Sequence, residues 1–209
     1  MKKALIIMIF FLAIVNCNSN GKKTTSNQDY LKNPNLEKAT LAGGCFWCVE
    51  SDFEKVDGVI EAVSGYTGGK EANPTYKTVS AGKSTHIESV EVYYDPKKIT
   101  YSQILDVFWR HMDPTDPGGQ FVDRGHQYTT AIFYHNDKQK IVAERSREKL
   151  MKSGRYKKPI VTKIIKAARF YKAEEYHQDY YKKSPGQYHS YRYRSGRDQY
   201  LKKVWGAKS

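Results

Sequence analysis

The stretch Gly43-Gly44-Cys45-Phe46-Trp47-Cys48 constrains this chain more than any other. Ahead of it, Lys38–Gly43 reads as a short strand ending in glycines. Behind it, Val49–Val56 has the apolar spacing of a helix. Two thiols therefore sit at a strand-to-helix turn. The free N–H groups and partial positive charge of a helix start stabilise a thiolate. The paired glycines let the backbone turn sharply and leave room for a ligand. Two large aromatics stand between the thiols, so the turn suits sulfur chemistry beside something apolar.

The chain holds three cysteines, Cys17, Cys45 and Cys48. Cys17 closes an N-terminal export-type segment, which leaves Cys45 and Cys48 as the thiols of the folded part. One pair closing so short a loop staples little, so a structural disulfide framework is excluded. A structural zinc site takes four ligands, often two such pairs. No second pair exists and the histidines are scattered, so no metal is expected. A C-x-x-C pair after a first strand also suits a thioredoxin-like fold. The aromatic filling between the cysteines is unusual for that fold, which stays as a minor alternative.

With 209 residues the chain is long enough for one domain with a real core. Net charge is +13, with the excess mostly after Asp137. The lysines are dispersed and no nucleic-acid motif accompanies them, so the charge reads as a solvated face and no nucleic-acid partner is expected. Met1-Lys2-Lys3 is a basic start, and the apolar run Ala4–Val15 is too short to span a bilayer. That run stops near Cys17 and a polar tether follows. The pattern resembles a bacterial lipoprotein signal, with Cys17 as the lipidated residue, although Asn16 replaces the usual small residue. Residues 1–16 are thus expected to be a signal peptide, 17–37 a flexible tether and 38–209 the catalytic domain. The protein is expected to be exported, periplasmic or on the cell envelope, and anchored to a membrane through Cys17; an ordinary signal peptide and an uncleaved anchor are the alternatives, and all three send the protein out of the cytoplasm.

Past the tether the elements alternate. Ala39–Gly43, Val59–Tyr66, Glu88–Tyr94, Gln127–Tyr134 and Ile160–Ala167 read as strands. Glu88–Tyr94 alternates cleanly, as a half-buried strand would, with Glu91 as an ordinary exposed residue. Cys45–Lys55, Ser102–His111 and Asp137–Lys152 read as helices. Ile104, Leu105, Phe108 and Trp109 form the apolar face of the second, and Asn136 or Asp137 caps the third. Asp113–Gly119 is a loop. From Phe170 onward the chain is rich in Tyr and Lys with weak periodicity, which predicts a short helix and then irregular wrapping chain. The pattern predicts an α+β sandwich, a mixed sheet with helices packed on it.

Gly-Cys-Phe-Trp-Cys resembles the active-site motif of type A peptide methionine sulfoxide reductases. The resemblance continues, in order, through Gly65-Tyr66-Thr67-Gly68-Gly69, Asn73-Pro74-Thr75-Tyr76, Val90–Pro96, Asp113-Pro114-Thr115, Asp123–Tyr128 and Ala173–Gln178. It implies a two-layer sandwich with a ferredoxin-like core and a long C-terminal coil. It also implies reduction of the S epimer of methionine sulfoxide, in proteins and as the free amino acid. Cys45 would attack the sulfur as a thiolate. Glu88, among apolar strand residues where desolvation raises a carboxyl pKa, matches the family's proton donor. Tyr76 and Tyr128 match the phenols that bind the oxygen. Phe46 and Trp47 match the walls around the S-methyl group, and Asp123 matches a residue that binds the substrate backbone. His86 reads as supporting structure. The implied enzyme acts as a monomer and needs no cofactor beyond an external thiol, a thioredoxin-like reductant.

Attack leaves Cys45 as a sulfenic acid, which a thiol must resolve. Many members of the family use a cysteine in the C-terminal coil, and no cysteine follows Cys48 here. Cys48 is therefore the expected resolver, against the alternatives of a packing role or direct reduction of Cys45 by an outside thiol. Two rival functions remain: a thioredoxin-like disulfide exchanger, and a basic surface lipoprotein without thiol chemistry.

Overall fold

The structure, a computed structural model, describes residues 29–206. Strand β1 (Glu37–Gly43) leads through the cysteine turn into helix α1 (Phe46–Phe53) and returns as β2 (Val59–Thr67). A short helix, α2 (Tyr76–Ser80), precedes β3 (Ile87–Tyr94), which is followed by helix α3 (Tyr101–Trp109). The small hairpin β4 (Gly119–Gln120) and β5 (Asp123–Arg124) comes next, then β6 (Thr130–Tyr134), helix α4 (Asp137–Lys152) and strands β7 (Lys163–Lys166) and β8 (Tyr171–Lys172). The main sheet runs β7-β6-β1-β3-β2-β8. Its pairs are antiparallel except β6 with β7. The central four strands, with α1 and α3, give the β-α-β-β-α-β order of a ferredoxin-like core. Among the described residues no helix is long and apolar enough to cross a membrane.

Side chains alternate across a strand, and the alternation assigns β3 its two jobs. Val90, Val92 and Tyr94 join Phe46, Val49 and Phe53 of α1 and Ile104, Leu105 and Phe108 of α3 in one core. Glu88 shares their parity and so is carried under the helices. The opposite face is not solvated, which overturns the half-buried reading of this strand. Every residue of β3 is buried. Glu91 is buried too, taking a hydrogen bond from Tyr93 Oη at 2.7 Å and an ion pair from Lys38 at 2.8 Å. A one-turn helix, Asp29–Lys32, lays Tyr30 over Tyr93 with ring centroids 4.6 Å apart. A central strand is covered on both faces, and alternation alone cannot report that cover.

Helix starts follow side-chain capping. Asn136 caps α4 by accepting from Gln139 N at 2.9 Å, and Thr100 with Gln103 forms a capping box on α3. Gln127 and Tyr128, expected to begin a strand, instead form a single turn, His126–Tyr128, that enters β6 at Thr130.

The largest departure is at the C-terminus. Where irregular coil was expected, helices α5 (Tyr180–Lys183), α6 (Pro185–Arg194) and α7 (Arg197–Trp205) pack back on the domain. Their contact faces are built from Tyr188, Arg197 and Leu201 rather than from a run of aliphatic residues. Tyrosine and arginine bury their stems while keeping polar tips, so the apolar period is weak although the helices are real. The signal segment, most of the tether, and Cys17 lie outside the described residues.

Candidate active site

Cys45 is the N-cap of α1, with φ −47° and ψ 118° and no side-chain cap bond. Its thiol stands where an oxygen cap would normally be. Gly44 makes the turn, at φ 85°. A Cβ there would lie 2.6 Å from Gln120 Cβ, so glycine is required twice over, by conformation and by space. Gln120 is fully buried and pins the loop after α3, bonding Asp113 N and O at 2.7 and 2.8 Å.

Glu88 Oε2 accepts from the Phe46 backbone N–H at 3.0 Å. The carboxyl lies beneath the first turn of α1 and is 2% exposed. Burial pushes its pKa up to about 8, partly offset by the Phe46 N–H and raised further by Asp123 and Cys48. At neutral pH this carboxyl holds a proton.

The aromatic residues gather around the same point. Phe46 lies 5.8 Å from Tyr66 and 5.0 Å from His177, and 6.5 Å from Tyr76 in a stacked arrangement. Trp47 stacks on Tyr180 at 3.9 Å, and its indole N–H donates to His177 Nδ1 at 3.0 Å. Burial holds His177 neutral, with a pKa of about 4, which leaves that nitrogen free to accept. Tyr76 is pushed up to about 12 by burial, then by Glu88 and Cys45. Tyr128 is raised by burial and then by Glu88, Tyr76, Asp123 and Cys45 in turn. Both phenols thus stay protonated donors beside the thiol. Asp123 takes a hydrogen bond from Tyr191 Oη, and burial raises its pKa.

The site residues predicted from sequence therefore converge, and a second set supports them. Glu174 accepts from Tyr66 Oη and from Tyr76 N, both at 2.8 Å. Gln178 clamps this segment to β2, taking Ser64 N at 3.0 Å and donating to Ser64 O at 2.9 Å. His177 and Gln178 lie within a motif quoted above, but nothing in the sequence assigned them a task. Tyr191, Arg192 and Arg197 come from the segment expected to be coil, and no sequence signal marked them. His86 is structural, taking Gly69 N at 3.2 Å and meeting Glu71 O at 2.8 Å.

The two thiols are coupled. Burial pushes Cys45 up, and so do its hydrogen bond to Cys48 and the nearby Glu88 and Asp123. Cys48 is lowered, first by the hydrogen bond from Cys45 and then, against burial, by Arg197 and Arg192. These surroundings favour a thiolate on Cys48 over one on Cys45. Cys45 retains 6% exposure and Cys48 none. Among the described residues no group of three or more His, Cys, Asp or Glu is placed to hold a metal ion.

A thiol pair at a helix start, a protonated buried carboxyl and an aromatic pocket define a thiol-dependent oxidoreductase. Residues 37–209 match the family model described as peptide methionine sulfoxide reductase, and the chain belongs to that family. It is 57% identical over 173 residues to peptide methionine sulfoxide reductase MsrA/MsrB of Vibrio cholerae, covering 83% of this chain but 46% of that relative's length. It is 52% identical over 172 residues to peptide methionine sulfoxide reductase MsrA of Bacillus licheniformis, covering 82% of this chain and 95% of that one. Among solved structures, Mxr1 from Saccharomyces cerevisiae in reduced form superposes with a TM-score of 0.69 at 34% identity, over 74% of this chain and 89% of that one. Mxr1 in complex with Trx2 aligns with a TM-score of 0.50 at 26% identity, over 71% and 87%. The chain is thus an MsrA-type enzyme, and the non-enzymatic and thioredoxin-fold alternatives fall away.

Proposed function

We propose that this enzyme reduces the S epimer of methionine sulfoxide through a Cys45 sulfenic acid resolved by Cys48. One observation carries the reading: Glu88 is a protonated carboxyl hydrogen-bonded at the very turn that presents Cys45, inside the aromatic pocket. The S-methyl group rests on Phe46 and Trp47, where aromatic–sulfur contact contributes about 0.3–1.5 kcal/mol. The oxygen faces Tyr76, Tyr128 and Glu88, and Asp123 takes the substrate backbone. Cys45 passes its proton to Cys48 and attacks the sulfur. Glu88 protonates the oxygen of the adduct, the hydroxyl moves to the Cys45 sulfur as the substrate S–O bond and the bond between the two sulfurs break, and methionine leaves with Cys45 as S–OH. Cys48, once deprotonated, attacks that sulfur; hydroxide leaves and takes a proton to become water, and a Cys45–Cys48 disulfide remains. A thioredoxin-like dithiol then reduces it, a step supported by the solved pairing of the relative Mxr1 with Trx2. The N-terminal segment supports an exported enzyme tethered through Cys17, acting on oxidised proteins outside the cytoplasm.

With the methyl on Phe46 and Trp47 and the oxygen on Tyr76, Tyr128 and Glu88, one hand at sulfur fits. Reduction of each epimer of a methionine sulfoxide peptide with dithiothreitol tests it. Turnover of the S form alone is expected, and comparable turnover of the R form would sink the reading.

A further inference from the structure

Arg197 is fully buried, yet no carboxylate among the described residues forms an ion pair with it. Its guanidinium donates to the backbone carbonyls of Gly43 (3.2 Å) and His111, faces the Phe121 ring at 4.8 Å, and leaves Nε without a hydrogen-bond partner. It lies against the cysteine turn: a Cβ built on Gly44 would be 3.1 Å from Arg197 Nη2. Burying a cation without an anion is costly. The nearby carboxylate, Asp52, is already engaged by Arg192 at 2.7 Å and by His111 at 2.8 Å.

We propose that Arg197, delivered by α7, is the counterion of the Cys48 thiolate and so a positioning residue for resolution and regeneration. The role rests on Cys48 being the resolver. The titratable and charged groups that act on Cys48 are Cys45 at the cap of α1, Asp52 of α1, Glu88 of β3, Tyr188, Tyr191 and Arg192 of α6, and Arg197 of α7. Of the negative charges around Arg197, the Cys48 thiolate acts most strongly, ahead of Asp52. The arrangement serves two steps. A thiolate on Cys48 attacks the Cys45 sulfenic acid, forming S–S and expelling hydroxide. An incoming dithiol then reaches Cys45, the sulfur with residual exposure, so Cys48 is the leaving group, and a thiol of low pKa leaves faster. Arg197 stabilises the Cys48 thiolate that begins the first step and that leaves in the second.

The test titrates Cys48 alone, in Cys17→Ser/Cys45→Ser, by ultraviolet absorbance of the thiolate. Arg197→Met should raise the midpoint by about one pH unit or more, a tenfold change in ionisation, and Arg197→Lys should restore part of it. A midpoint unmoved in folded Arg197→Met overturns the proposal. A second measurement keeps Arg197 in place, should Arg197→Met not fold. Melting of Cys45→Ser is compared with Cys45→Ser/Cys48→Ser across pH. A group whose folded pKa is depressed stabilises above it, so the advantage of retaining Cys48 should grow with pH toward the ordinary thiol value, about 8.5. A difference flat in pH overturns the proposal. Mass spectrometry of oxidised wild type separates the two ideas: without a Cys45–Cys48 disulfide the resolver reading fails, whatever the titration gives.

Discussion

Cys45 and Cys48 stand one helical turn apart, yet their surroundings differ in sign. Burial, the hydrogen bond to Cys48 and the carboxyls of Glu88 and Asp123 oppose a thiolate on Cys45. Around Cys48 lie Arg197 and Arg192, which favour one. The helix start alone would favour Cys45, the first residue of the turn. Burial and the specific charges outweigh that general field. The difference teaches that burial and distant charges favour a thiolate on the inner sulfur over the outer one.

Cys45→Ser should break the outer side altogether and abolish reduction, measured as methionine formed with excess dithiothreitol. Glu88→Gln should come next. Loss of the proton donor should slow the chemical step on the order of 10²-fold or more in single turnovers. The same proton gives a pH signature. Glu88 is charged above about 8, so the wild-type single-turnover rate should fall as pH climbs through that value. A rate in Glu88→Gln near wild type across pH would remove Glu88 as the acid.

Cys48→Ser sharpens the comparison from the inner side. It should still complete one turnover, accumulate a trappable sulfenate on Cys45 and lose turnover driven by a thioredoxin-like protein. A sulfenate that persists in wild type with Cys48 free would mean that Cys48 only packs. Smaller still is the effect of Tyr191→Phe, which removes the donor to Asp123. About 1 kcal/mol of lost substrate positioning, several-fold in KM with kcat little changed, is the expected result.

A further signal is thermodynamic. Glu88 has its folded pKa raised from 4.5 to about 8, so its stabilisation is present below 4.5 and is lost as pH rises toward 8. Glu88→Gln should flatten the fall in melting temperature across that window. The flattening should be partial, because buried Glu50 is raised to about 8 as well, mainly by burial. An unchanged slope would mean that Glu88 ionises freely.

Much of this was legible in the chain. Gly44 could be read as a turn because its φ of 85° suits glycine, and Ile104, Leu105, Phe108 and Trp109 could be read as a helix face because all four are buried at helical spacing. Local conformational preference and apolar period are properties of neighbouring residues, and β1, α1, β2, α3 and α4 are set by them. Cys45, Cys48, Phe46, Trp47 and Glu88 were legible because the turn and the strand are contiguous motifs. Other features depend on what covers what. Glu91 looked exposed and is buried beneath Tyr30 and Tyr93. The chain after Phe170 looked irregular because tyrosines and arginines, not aliphatic residues, make the contact faces of α6 and α7. Arg192 and Arg197 act on Cys48 from some 145 residues along the chain, a separation that no local pattern spans. The sequence alone determined which sulfur chemistry this protein carries, because residue type at a turn sets reactivity. Only the tertiary structure decided which sulfur its surroundings favour as the thiolate, because burial and distant guanidiniums outweigh the local field.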